Sequence, residues 1–174
     1  MEQFSEPTFV SSAEDIAEIC RFRAAVWAAT GTLEPNAFGQ DGWRDPVDEH
    51  AFHWVIRHSS GRLAAAGRLT FHSQLALVHQ ADEYLRYGLD FSGPIAAPDR
   101  VVVAPEFQGH GLGAILVDLQ DRVARAFGAQ FAVRQASDSM ARIIARRGWR
   151  LVGPASADPR FPGASFTVAY RQIA

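Results

Sequence analysis

The stretch Val101-Val102-Val103-Ala104-Pro105-Glu106-Phe107-Gln108-Gly109-His110-Gly111-Leu112-Gly113 constrains this chain more than any other. Its β-branched run, ended by Pro105, reads as a strand. Ile115, Leu116, Leu119, Val123 and Phe127 then read as one face of a helix over about 111–127. Three alternating glycines lie between the two elements. Glycine lets backbone approach a ligand closely, and the first N–H groups of a helix have no partner within it. With the helix dipole added, they form a seat for a pyrophosphate. Gly109, Gly111 and Ala114 also satisfy the dinucleotide spacing G-x-G-x-x-G/A. Three features count against that alternative. Pro105 to Gln108 make the loop too long, and Arg134-Gln135-Ala136 stands where an acidic residue should end the next strand. The 61 residues after Gly113 are too few for a doubly wound sheet.

Elsewhere the pattern predicts a helix over 14–29, with Ile16, Ile19, Cys20, Val26 and Trp27 on one stripe and Ser11 or Ser12 as its cap. Arg23 falls on the same stripe, and an inward arginine requires a carboxylate or a ligand. Residues 30–50 read as a loop carrying Asp45 and Asp48. Strands over 52–58 and 63–72 are joined by the turn Ser59-Ser60-Gly61, and period two puts Arg68, Thr70 and His72 on one face. A short helix over 75–87 and a loop over 91–98 follow. Then come strands over 100–104 and 130–134, a helix over 137–147 ended by Gly148, and strands over 149–152 and 165–171. This order is that of a single α/β (α+β) domain with helices packed on a mixed sheet.

Gln108-x-x-Gly111-x-Gly113 after a V-x-V-x-P strand resembles the acetyl-CoA signature of the GNAT N-acyltransferase superfamily, and the likeness extends over about 98–153. It implies a mixed, mostly antiparallel central sheet with helices on both faces, acetyl-CoA or another acyl-CoA as co-substrate, and a small-molecule amine as acceptor. It further implies that Gln108, Gly109, His110, Gly111, Leu112 and Gly113 form the pyrophosphate turn, and that Val101 and Val103 border the pantetheine arm. An amide of that strand would polarise the thioester carbonyl. Many members carry an asparagine at the start of the last core helix and a tyrosine seven residues on, where this chain has Ser137 and Ile144. Ile144 cannot protonate a departing thiolate. Tyr170, His72 or water then does so, the thiolate leaves unassisted, or the chain only binds acyl-CoA as a sensor.

A second resemblance lies in the first half. Arg23-x3-Trp27, Asp45-x2-Asp48, Gly67-Arg68-Leu69 and Arg100-Val-x-Val are similar to acyl-homoserine-lactone and N-acyl amino acid synthases. Those enzymes use long acyl chains, often from acyl carrier protein, which becomes an alternative donor. The resemblance implies Arg23, Trp27, Asp45, Asp48, Arg68 and Arg100 as substrate-binding residues. Arg68 or Arg100 would hold an acceptor carboxylate and Asp45 or Asp48 would orient its amine. The same residues read equally as a buried network pinning the N-terminal loop to the sheet.

A general base must take a proton from an ammonium acceptor, and Glu106 and His72 are the candidates. No nucleophile for a covalent intermediate is evident, and no G-x-S-x-G elbow is present. His50 and His53 would face opposite sides, so no metal is expected. Cys20 reads as buried core, and Trp54, Phe71 and Phe166 as sheet core. All 17 basic residues are arginine, which removes Schiff-base and P-loop lysine chemistry. The net charge of −2 argues against a nucleic-acid partner. It divides into 8 Arg against 14 acids over 1–100, giving −6, and 9 Arg against 5 acids over 101–174, giving +4. No run is long enough to span a membrane and no signal-peptide pattern opens the chain, so a cytoplasmic location is expected. A homodimer is compatible with this reading.

Overall fold

In the computed structural model, which describes residues 3–173, helix α1 (Ala13–Ala28) begins at a cap the sequence offers. Ser12 Oγ accepts the Asp15 N–H at 3.1 Å. The helix buries Ile16, Ile19, Cys20, Arg23 and Val26, so the arginine on the apolar stripe does face inward. A three-residue strand β1 (Thr8–Val10), too short to show alternation, precedes it.

β1 pairs antiparallel with β2 (Phe52–Arg57), and β3 (Leu63–Gln74) follows the predicted turn at Gly61, whose φ is 84°. Next come β4 (Ser92–Val103), α3 (Leu112–Ala126), β5 (Phe131–Ser137), α4 (Asp138–Ala145), β6 (Arg150–Pro154) and β7 (Phe166–Gln172); α2 (Asp82–Leu85) is a single turn before β4. The strand order is β1-β2-β3-β4-β5-β7-β6. β4 and β5 run parallel, whereas β5 with β7 and β6 with β7 run antiparallel, so the sheet is mixed and mostly antiparallel.

Two stretches differ from expectation. Residues 91–98 are not a loop, because β4 begins at Ser92. Gly93, Pro94 and Pro98 punctuate the sequence like a loop. Ile95, Ala96 and Ala97 are nevertheless buried, and Ile95 and Ala96 pair with Phe131 and Ala132. Residues 75–87 are not one helix but a 3-10 turn at Leu75–Leu77 and the one-turn α2, separated by Gln80 with φ 59°. Of the predicted aromatic core, Trp54 is buried, while Phe71 and Phe166 are half-buried.

The chain groups into two compact units. The first holds the residues up to Arg68, then Arg100–Leu116 and Pro159–Gly163. Its apolar core joins Ile19, Val26, Val55, Leu63, Ala66 and Val102. The second holds Leu69–Asp99, Val117–Asp158 and the chain from Ala164, around Leu75, Tyr84, Ile95, Val133 and Val168. No helix among the described residues is long and apolar enough to cross a membrane.

Candidate functional site

The first unit carries the glycine turn. β4 ends with Ala104 N–H bonded to the Ala64 carbonyl at 2.9 Å, and a 3-10 turn, Pro105–Phe107, leads on. Phe107 is buried and anchors the turn. His58 stacks on it at 4.8 Å, Phe4 meets it edge-on at 5.5 Å, and the Arg62 guanidinium lies 5.2 Å from its centroid. Gln108 Nε2 returns a hydrogen bond to the Val103 carbonyl at 3.3 Å. Gly109 and Gly111 then take φ of 82° and 78°, conformations that L-residues resist. A Cβ at either would meet nothing within 4 Å. Both glycines therefore serve the dihedral, and the surface above them is open.

Helix α3 starts with the Ile115 N–H on the Gly111 carbonyl at 3.1 Å, so the N–H groups just ahead of it lie outside the helical ladder. Leu112 and Gly113 are buried and fix the helix start, while Gln108, Gly109, His110 and Gly111 are exposed. The His110 ring folds back, its Nδ1 donating towards the Phe107 and Gln108 carbonyls at 3.2 and 3.1 Å. Val101 and Val103 are half-buried and alternate with the core residue Val102. A groove of about 550 Å³ adjoins the start of the turn, walled by Phe22, Ala25, Val26, Leu63, Ala104 and Pro105, so apolar matter can lie there.

The same unit brings together five of the six residues predicted from the first half. Asp48, fully buried, accepts Arg23 Nη1 at 2.8 Å and Arg68 Nη1 at 2.9 Å on Oδ1, and the Asp45 N–H at 2.7 Å on Oδ2. Asp45 Oδ2 accepts Arg68 Nη1 at 2.9 Å and Arg100 Nε at 2.8 Å. Burial pushes the Asp48 carboxyl up, but Arg23 and Arg68 together outweigh it and hold it below the ordinary carboxylate range. The partner of Arg23 is thus Asp48. Three guanidiniums meet two carboxylates, which leaves one positive charge in excess.

Sequence reasoning missed His53, which completes the network. Its ring is fully buried, with Nε2 2.8 Å from the Asp48 carbonyl and Nδ1 3.4 Å from Arg23 Nη2. Arginine can only donate, so Nδ1 accepts and Nε2 carries the proton. Burial lowers its pKa and keeps the imidazole neutral. Cys20, predicted as core, is buried there too, its thiol pushed up by burial and by Asp48.

The loop bearing both aspartates is pressed onto α1. Trp43 N–H bonds the Cys20 carbonyl at 2.9 Å, and a Cβ on Gly42 would stand 2.4 Å from that oxygen. Trp43 is buried between cations and rings. The Arg100 guanidinium is 4.2 Å from its centroid, Phe38 stacks at 5.1 Å and Phe161 lies at 4.9 Å. Trp27, the sixth predicted residue, is half-buried and meets Phe161 edge-on at 4.9 Å. Trp43, Phe38 and Phe161 carried no local signal, because they meet only across long loops. Arg100 itself holds φ 52°, a strain of roughly 1–2 kcal/mol for a residue with a Cβ. The Asp45 pairing and the Trp43 face hold it there.

Of the candidate bases, Glu106 is exposed and paired with Arg62 at 3.0 Å. His72, in the second unit, is half-buried with Nε2 2.9 Å from Thr70 Oγ1, and burial lowers its pKa. Ile144 is fully buried, which suits core rather than chemistry. Among the described residues no group of three or more metal-ligating side chains is assembled.

The turn and helix described above fall inside residues 16–149, which match the model of the acetyltransferase (GNAT) family. The chain belongs to that family. No curated protein sequence matches it. Solved structures share the GNAT fold with it. The AHL synthase LasI superposes with a TM-score of 0.74 at 12% identity, over 100% of this chain and 92% of that one. TofI, in a ternary complex with an inhibitor and MTA, gives 0.71 at 16% identity over 97% and 92%. Nourseothricin acetyltransferase gives 0.58 at 18% over 98% and 100%. At such identities the likeness is one of fold. GNAT membership supports acyl transfer in general, with acetyl-CoA or another acyl-CoA as the family's co-substrate.

Proposed function

We propose that this chain transfers an acyl group from acyl-CoA to the amine of a small molecule, by direct attack on the thioester carbonyl. The observation that carries the reading is the open glycine turn at Gly109 and Gly111, leading straight into the 15-residue helix α3. In this reading the amides of Gly109 to Gly113 hold the pyrophosphate. Gln108, His110 and Leu112 set the shape of the turn, and Val101 and Val103 border the pantetheine arm. His72 stays a candidate base, since burial lowers its pKa and favours the neutral form that a base requires. Glu106 would first have to leave Arg62. With Ile144 in the core, a water or the protonated base supplies the proton to the departing thiolate.

On the acceptor side, Arg100 is the arginine suited to meet a substrate carboxylate, since its side chain is 14% exposed whereas Arg23 and Arg68 are sealed from solvent. Arg23, Arg68, Asp45 and Asp48 then act as positioning residues that hold the loop and Arg100 in place, and Trp27 lines the aromatic group beside them.

Calorimetry with acetyl-CoA and longer acyl-CoAs, followed by thiol release with amines, tests the reading. Gly111→Asp forces a side chain into φ 78° and sets a carboxylate where the phosphates would lie. It should weaken CoA binding at least about tenfold in protein that keeps its circular dichroism. Binding without thiol release from any amine would make the chain an acyl-CoA sensor. Absence of CoA binding by the wild-type chain would overturn the reading, and acylation from acyl carrier protein would then be the donor to try.

A further inference from the structure

The second unit contains a buried charge that the acyl-transfer reading does not use. Arg134, on β5, is only 2% exposed, yet its Nε and Nη1 meet no acceptor among the described residues. Its guanidinium lies 5.6 Å from the centroid of Trp149, itself 4% exposed, whose Nε1–H is likewise buried without an acceptor. Three donor nitrogens, two of them on a cation, are therefore buried on neighbouring groups without an acceptor among the described residues. Burial lowers the guanidinium, Asp99, Asp121 and Tyr84 raise it only partway back, and it ends at about 10.

Asp121 Oδ2 and the Asp99 backbone carbonyl have other partners. Asp121 Oδ2 accepts Arg171 Nη1 at 2.5 Å, and the Asp99 carbonyl accepts Gln120 Nε2 at 3.4 Å. Neither aspartate takes the Nε or Nη1 proton of Arg134. Native structures rarely leave buried donors unmade, and a buried cation without a partner is strongly unfavourable. A single water is a poor guest, since it accepts at most two hydrogen bonds and brings two protons that need acceptors of their own. An anion accepts all three N–H groups and neutralises the charge.

We propose that Arg134 and Trp149 form a buried site for a small monovalent anion, either a halide or a simple carboxylate. The site lies wholly within the second unit and stands independently of the acyl-transfer reading.

The test is thermal unfolding of the full chain in a gluconate buffer at constant ionic strength, with gluconate replaced stepwise by chloride in one arm and by acetate in another. One of the two anions should raise Tm in proportion to the logarithm of its concentration once that exceeds Kd, by roughly 3–6 °C at about a hundredfold over Kd. Which arm responds distinguishes a spherical halide from a planar carboxylate. Arg134→Met should abolish the rise and, without any small anion, melt no lower than the wild-type chain. Trp149→Phe, which keeps the ring and removes the N–H, should need a severalfold higher anion concentration for the same rise in Tm. In the chloride arm, bromide should quench a component of fluorescence that is missing in Trp149→Phe. A wild-type Tm indifferent to both anions would overturn the proposal, as would a rise that persists in Arg134→Met. A large drop in Tm of Arg134→Met in gluconate would also overturn it, by making Arg134 a structural partner of Asp99 or Asp121.

Discussion

The two units bury arginine in opposite ways. In the first, Arg23, Arg68 and Arg100 share Asp45 and Asp48, with neutral His53 closing the set. In the second, Arg134 has carboxylates within electrostatic range but no acceptor on Nε or Nη1. Arg23 Nε also lacks an acceptor among the described residues, but its Nη1 is bonded to Asp48; a buried guanidinium stabilises a fold when a carboxylate meets it, so equal burial does not mean equal consequence. The first set behaves as scaffold, since its charges hold one another. In the second, Arg134 leaves both Nε and Nη1 unfilled beside an unfilled Trp149 N–H, which marks a place that accepts something else.

The comparison breaks most sharply at Asp48. Asp48→Ala leaves Arg23 and Arg68 without their shared oxygen and should cost about 3–5 kcal/mol of stability in urea unfolding. A loss below about 1 kcal/mol would show that the network is dispensable to the fold. Gly42→Ala tests the same network without touching a charge. A Cβ at φ 73° and 2.4 Å from the Cys20 carbonyl would push the loop off α1, at roughly 2–4 kcal/mol. Retained stability there would mean that the aspartates do not depend on the seating of the loop.

The pH dependence follows from His53 and Asp48, and both shifts act in one direction. His53 titrates below its ordinary 6.5 in the folded chain, so the unfolded chain binds more protons as pH falls beneath that value. Stability should be full above about 6.5 and decline below it, by up to about 1.4 kcal/mol per pH unit. Asp48, held below 3.8, adds a second loss as pH falls through its folded value. His53→Gln, which keeps a donor for the Asp48 carbonyl, should flatten the upper window and leave the lower one. An unchanged pH profile would remove His53 from the account. The smallest effect belongs to Arg134→Met in the absence of small anions, within about 1 kcal/mol of wild type and on the stabilising side. The contrast between the two units rests on that value lying far from the one at Asp48.

Much of the candidate site was legible along the chain. The turn from Val101 to Gly113 is local, because a strand end, positive-φ glycines and a helix start act within thirteen residues. Arg23 was placed inside by the 3.6 period alone, since no surface stripe reads Ile16, Ile19, Cys20, Val26. Along the chain His53 carries no signal beyond its spacing from His50, which does not suit a metal. Its role appears when β2 carries it to the Asp48 carbonyl and Arg23. β4 was hidden because two prolines and a glycine in 92–98 read as loop, and only the pairing of Ile95 and Ala96 with β5 makes that segment a strand.

By itself, then, the sequence determined the elements whose physics is local: α1 and its inward arginine, and the glycine turn. Tertiary structure alone decided that Asp48 is the partner of Arg23, that Phe161 reaches Trp27 and Trp43 from across the chain, and that Arg134 is left with open donors. The reason is range. Dihedral preference and helical period act over a few residues, whereas a hydrogen-bond partner is chosen by whichever groups the packed chain brings within about 3 Å.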